Sequence, residues 1–211
     1  MLIDIHVHTN RYSPCSTIEP EAAVSRALAM GLDGICFTDH NSNGMREEAA
    51  KLAKESGLFI VVGFEALTYE GDILVFGIDE PPAEKMHAAA LIEEVNKKNG
   101  VAIAAHPFRK NGRSLGEKVK NIKGLAGLES FNGNTPYADN YCSYALSSAL
   151  KMPSFGGSDA HRTERVGIFA TMLPLFEKTE SAFIKAIKAG TASPVSNEEL
   201  VLQYADTAAT K

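Results

Sequence analysis

Short apolar runs recur along the chain, each followed by polar residues, an amphipathic stretch and a glycine before the next run. The clearest are LIDIHV (2–7), GICFT (34–38), FIVVGF (59–64), ILVFGI (73–78), VAIAA (101–105), GLESF (127–131), SFGGS (154–158) and GIFATML (167–173). Their length and flanking turn residues predict strands. Helical spacing predicts helices over 21–30, 84–99 and 180–189. The first carries Val24, Ala27 and Leu28 behind Pro20 and stops at Gly31, the second carries Leu91, Ile92 and Val95 before Gly100, and the third carries Phe183, Ile184 and Ile187 before Gly190. A hairpin is expected over 59–78, with YEGD (69–72) as its turn. Strands alternating with helices imply a largely parallel sheet covered by helices, either open or closed into a barrel.

No Gly, Pro and Ser-rich linker, low-complexity tract or further repeat interrupts this rhythm, so one domain over 1–211 is the simpler division. The weakly patterned tail after Gly190 is expected to end in a docked helix at 197–205. With 211 residues, 45% of them hydrophobic and 22% charged, the chain can bury a sizeable core, which excludes a disordered protein. The net charge of −5 and the lack of any basic run longer than a pair argue against an extended nucleic-acid or anionic-membrane surface, so an anionic substrate has to meet local positive charge. No apolar stretch reaches the roughly 20 residues of a membrane span and no secretory signal pattern opens the chain, which predicts a cytoplasmic protein. Cys15, Cys36 and Cys142 are too few and too scattered for a disulfide framework or a thiolate zinc finger.

The unusual polar residues fall at strand ends. His6 and His8 close the first predicted strand, Asp39 and His40 follow the second, Glu65 the third, His106 follows VAIAA, Glu129 lies in GLESF, and Asp159 and His161 follow SFGGS. In a parallel βα architecture the carboxyl ends of strands share one rim, where ligands gather. Imidazoles and carboxylates are the donors that borderline divalent cations accept, and a period-two strand aims both rings of H-x-H the same way. Asp4 shares that alternation and is expected to hold a histidine ring as an outer acceptor. His87 falls in a predicted helix and is expected to have no part in the site. Asp139 fits an N-terminal helical turn, where its charge is favourable. Gly133, Gly156 and Gly157 suit close approach of backbone to a cluster of ions or a turn with positive φ. No phosphate-cradling glycine loop of the P-loop or Rossmann kind accompanies them.

The ordered set D-x-H-x-H-T (4–9), T-D-H (38–40), G-x-E (63–65), A-H-P-F-R (105–109), E-x-x-N-G (129–133) and G-S-D-A-H (157–161) resembles the PHP family, named for polymerase and histidinol phosphatase domains, over roughly residues 1–173. The resemblance implies a distorted (β/α)7 barrel that holds two to three divalent ions (Mn, Zn or Fe) at its rim and hydrolyses phosphoesters. It places one ion on His6, His8, Glu65 and Asp159, lets Glu65 bridge to a second on His106 with Glu129 as the remaining ligand, and puts His40 and His161, beside Asp39, at a third. Where several family members carry another His or Asp shortly after H-x-H, this chain has TNRYSPCS, offering only Ser13 or Cys15, and the third site is therefore the least complete.

The implied chemistry is attack on phosphorus by metal-activated hydroxide, with Arg109 forked onto phosphate oxygens and His161 or His40 protonating the leaving group. Arg162 and Arg165 lie near the last motif without a role that the sequence defines. The expected substrate is a small phosphorylated metabolite or nucleotide. Two other classes stay open: an amidohydrolase-like enzyme that cleaves C–N bonds, and a metal-binding regulatory domain without turnover.

Overall fold

The computed structural model describes residues 1–197, and the helix expected at 197–205 falls almost wholly outside that range. The chain runs β1 (Leu2–Val7), α1 (Pro20–Ala29), β2 (Gly34–Phe37), α2 (Arg46–Ser56), β3 (Phe59–Val62), β4 (Phe64–Leu67), β5 (Asp72–Phe76), α3 (Ala88–Lys97), β6 (Val101–Ala104), β7 (Gly127–Asn132), α4 (Tyr137–Leu150), β8 (Ser154–Gly157), β9 (Phe169–Met172), α5 (Glu180–Lys188) and β10 (Ser193–Ser196). No helix of the described residues is long and apolar enough to cross a membrane.

The fold is α/β, but the expected barrel is replaced by two five-stranded sheets, ordered β10-β9-β1-β2-β3 and β4-β5-β6-β7-β8. The break falls inside FIVVGF, which was expected to be one arm of a hairpin. β3 pairs parallel with β2, while β4 pairs antiparallel with β5, so Gly63 marks the point where the chain changes sheets. A Cβ there would lie 2.4 Å from the Val75 carbonyl oxygen, and only glycine allows that approach. The hairpin is therefore β4–β5 alone. Isolated parallel bridges at Val7–Ala160 and His40–Glu65 join the sheets at the rim, without a continuous ladder.

Parallel order is also broken elsewhere. β5 runs antiparallel to β6, β9 runs antiparallel to β1, and β10 runs antiparallel to β9. α3 begins at Ala88 rather than at 84, leaving His87 as an extended N-cap outside the helix, exposed and 2.7 Å from Glu70. α2 escapes the sequence pattern because it buries only Ala49 and Leu52. Its acidic first turn, Lys54 in its last and left-handed Gly57 beyond it are the signals that mark it.

Three packed layers result. Alternate residues of both sheets, among them Ile3, Ile5, Val61, Leu74, Ile103 and Phe155, meet in a central cluster with Phe183, Ile184 and Ile187 of α5. α1 and α2 cover the outer face of β1–β3 through Val24, Ala27, Leu52, Ile35 and Phe37. α3 and α4 cover the second sheet through Leu91, Ile92, Val95 and Leu146. Phe183 is fully buried and meets Phe76 edge-on with ring centroids 5.3 Å apart, so α5 plugs the interior below the rim. Phe183→Ala should lower unfolding free energy by about 3–5 kcal/mol, read as a shifted denaturant midpoint.

Candidate metal centre

Local irregularities, not regular strands, aim the site. In β1, Asp4 pairs with Ile35 and Val7 with Phe37, so three steps on β1 face two on β2. This extra residue is a bulge, and it reverses the alternation between Asp4 and the histidines. Asp4 is thus turned away from His6 and His8, with its carboxylate accepting from the backbone amides of Ser158 and Gly167 (2.9 Å each) and His6 (3.2 Å). It holds main chain in place, not an imidazole as expected, and burial raises its pKa to about 6 against those hydrogen bonds.

Past the bulge, both rings of H-x-H face inward. His6 Nε2 and His8 Nε2 stand 3.0 Å apart, and Asp159 Oδ1 lies 3.5 and 3.2 Å from them. Glu65 adds Oε1 at 3.8 Å from His6 Nε2 and Oε2 at 3.5 Å from His8 Nε2. A tetrahedral ion with bonds of about 2.0–2.1 Å needs donors about 3.3–3.4 Å apart, so the two imidazoles and Asp159 form a group that suits a divalent cation, with Glu65 at its edge. Asp159 takes up this position with φ of 50°, and His106 has φ of 29°. Such left-handed backbone is strained for residues other than glycine and concentrates at functional sites.

Glu65 is the hub. Its Oε1 lies 2.9 Å from His106 Nε2 and its Oε2 2.7 Å from His40 Nδ1. Three groups of donors surround it, each with ligand atoms within 4.8 Å of one another: His6, His8 and Asp159; Glu65, Asp72 and His106; and His8, His40 and His161. His106 Nδ1 is buried without a hydrogen-bond partner, which leaves it open to a group from outside the chain. His40 and His161 are about a fifth exposed and form the mouth.

Charge accumulates here to a degree that calls for cations. Burial pushes the Glu65 carboxyl up, but His106, His40 and His6 outweigh it and hold it well below the usual range. Asp159 is likewise held down by His6 and His8 against its burial. Burial pulls His6 and His106 down, yet the surrounding carboxylates raise both. For His8 burial prevails and lowers its pKa to about 4, so its lone pair is available at neutral pH.

Other predicted residues stand behind this shell. Glu129 Oε1 lies 2.8 Å from His6 Nδ1, while its Oε2 accepts from the His106 amide and Asn132 Nδ2 (2.9 Å each). A Cβ at Gly157 would sit 2.6 Å from Glu129 Oε1 and 2.7 Å from His6 Cβ, so only glycine lets the two meet. Asp39 accepts from Thr9 N, Thr9 Oγ1 and Ser13 Oγ, each at 2.7 Å, and Ser13 Oγ lies 3.1 Å from His8 Nδ1. Arg109 donates from Nη1 to Asp159 Oδ2 at 2.5 Å. Arg165 donates to the Gly133 carbonyl, and Arg162 is exposed. Asp139 lies in the first turn of α4, as expected, and pairs with Lys110 at 3.3 Å.

Asp72 and Arg113 escape a reading of strand ends. Asp72 opens β5, yet it belongs to a donor group, 3.8 Å from His106 Nε2. Because β5 is antiparallel to β6, its amino end lies at the rim, and this reversed direction was the signal missed. Burial, reinforced by the Glu65 charge, raises Asp72 to about 6 even against Arg113.

Comparison with known proteins agrees with this geometry. A family model described as PHP domain matches residues 4–129, and one described as PHP-associated matches 138–192. The chain is 32% identical over 142 residues to the uncharacterized protein MJ1587 of Methanocaldococcus jannaschii, covering 63% of this chain and 82% of the relative. Among solved structures, PsfC of Pseudomonas syringae is similar with a TM-score of 0.72 at 18% identity, covering 100% of this chain and 98% of its own. A Bifidobacterium adolescentis protein assigned as a metal-dependent phosphoesterase is similar with a TM-score of 0.66 at 18% identity, covering 77% of this chain and 88% of its own. With the family model spanning more than half of the sequence and its histidines and acids converging in space, the chain belongs to the PHP domain family.

Proposed function

We propose that this protein is a metal-dependent hydrolase of phosphoesters in a small phosphorylated metabolite or nucleotide, using two to three divalent ions of the Mn, Zn or Fe kind. The observation that carries the proposal is the meeting of His6 Nε2, His8 Nε2 and Asp159 Oδ1 at edges of 3.0–3.5 Å, with Glu65 oxygens 3.8 and 3.5 Å from the two rings. These four would hold the first ion. Glu65, Asp72 and His106 would hold a second, and His40 and His161 would contribute to a weaker third. Bound divalent ions supply a nucleophilic water with its pKa lowered to about 7 and neutralise phosphate oxygens.

The chain's own residues do the rest. Glu129 fixes the His6 ring so that Nε2 faces inward, an orienting role in place of the ligand role first expected. Asp39 serves in the same way through Ser13, which bonds to both Asp39 and His8. At the mouth, the partly exposed guanidinium of Arg109 is placed to turn from Asp159 to a phosphate oxygen pair. His161 and His40, about a fifth exposed, can give a proton to the departing alkoxide. The cationic side chains at the mouth of an acidic protein favour an anionic ester over the neutral amide of a C–N hydrolase.

Elemental analysis of purified protein should find more than one divalent ion per chain. A panel of phosphomonoesters and of linear and cyclic diesters should then reveal turnover that chelation removes and added metal restores. His8→Ala, which takes a donor from two groups, should lower turnover at least about a hundredfold and reduce bound metal while the apo protein melts cooperatively. Bound metal without turnover of any ester in the panel would favour a regulatory domain. Glu129→Gln should weaken metal binding by about 10–100-fold, measured by competition with a chromogenic chelator.

A further inference from the structure

Two arginines of the loop after β6 rest on carboxylates of the candidate metal centre, and they do so differently. Arg109 takes only Oδ2 of Asp159, leaving Oδ1 facing His6 and His8. Arg113 forks onto Asp72 with Nε 2.8 Å from Oδ2 and Nη2 3.1 Å from Oδ1, engaging both oxygens. Its Nη2 also lies 3.4 Å from His40 Nδ1. The first donor group thus keeps the inward Oδ1 of Asp159 clear of guanidinium, whereas both oxygens of Asp72, in the Glu65, Asp72 and His106 group, are engaged by one. A carboxylate oxygen has lone pairs enough for a second partner, so the conflict at Asp72 is one of charge, set on the same oxygens that an ion would take. A guanidinium and a divalent ion on one buried carboxylate repel strongly at contact distance.

The anchoring of Arg113 suits a side chain that can leave. Its carbonyl accepts from the Asp72 amide at 2.8 Å, which pins the main chain to the strand, while the side chain is 36% exposed at the mouth. We propose that Arg113 is a built-in competitor for the second cation, which must displace the guanidinium from Asp72 and thereby frees it to receive an anionic group of the substrate. The two ions then bind in order, and an anion that captures the freed Arg113 promotes the second. This inference rests on the metal-centre reading above, and Arg113 is a residue that acts through Asp72.

The test titrates metal-free wild-type protein and Arg113→Gln with Mn²⁺ alone, following heat of binding and counting bound ions. The second ion should bind about tenfold or more tightly to the variant, with the first unchanged. A partner that merely orients Asp72 would give the opposite sign, a loss of about 10–100-fold, and that result or an unchanged second affinity overturns the proposal. Arg113→Lys keeps the charge without the two-pronged grip; it should shift the second affinity in the same direction by less, and serves as the test if the Gln variant does not fold. Failure of Mn²⁺ to bind wild-type protein would sink the metal-centre reading and this inference together. Wild-type binding of more than one ion with no tightening in the variants would sink the inference alone.

Discussion

Buried carboxylates have to be matched by positive charge, and Glu65 concentrates that requirement. Fully enclosed, it faces His106 and His40 at hydrogen-bond distance and His6 and His8 slightly beyond. Without that ring of imidazoles its charge would be costly by several kcal/mol. With it, the centre becomes a compact array of donors whose protons are the natural occupants to be exchanged for metal. The convergence explains why the rim tolerates strained backbone at His106 and Asp159: each deviation places a donor that regular strand geometry would have pointed elsewhere.

The rest of the molecule serves that convergence. A bulge in β1 turns His6 and His8 inward together, and glycine at 157 gives Glu129 room to reach the His6 ring. Behind the histidines, carboxylates and hydroxyls take the second ring nitrogens of His6 and His8, so that the inward nitrogens carry the lone pairs. The hydrophobic layers supply rigidity, since both sheets share one interior cluster beneath the donor groups.

Much of this was legible in the chain itself. The histidines could be placed because strand ends are short, well-marked and followed by turns, and because H-x-H, T-D-H and G-S-D-A-H recur in a recognisable order. Eight predicted strands correspond to observed ones, with FIVVGF divided at Gly63. What stayed hidden depends on partners distant in sequence. Alternation put Asp4 with the histidines, since a bulge is visible only once β2 lies alongside. Asp72 looked like a turn residue, because strand direction decides which end reaches the rim. Glu129 and Asp39 carry the right chemistry for ligands, and only their distances separate a group that faces an ion from one that steadies its neighbour. Closure into a barrel failed for a related reason, since pairing between sheets requires edge contacts that no local pattern encodes.

Phe183 and its helix have one more effect. Because α5 fills the interior with aromatic and aliphatic side chains, the central cluster closes the floor beneath the donor groups among the described residues. Whatever reaches the donor groups therefore comes and goes by the mouth that His40 and His161 frame. In a hydrolase with a single entrance, departure can set the pace as much as bond cleavage.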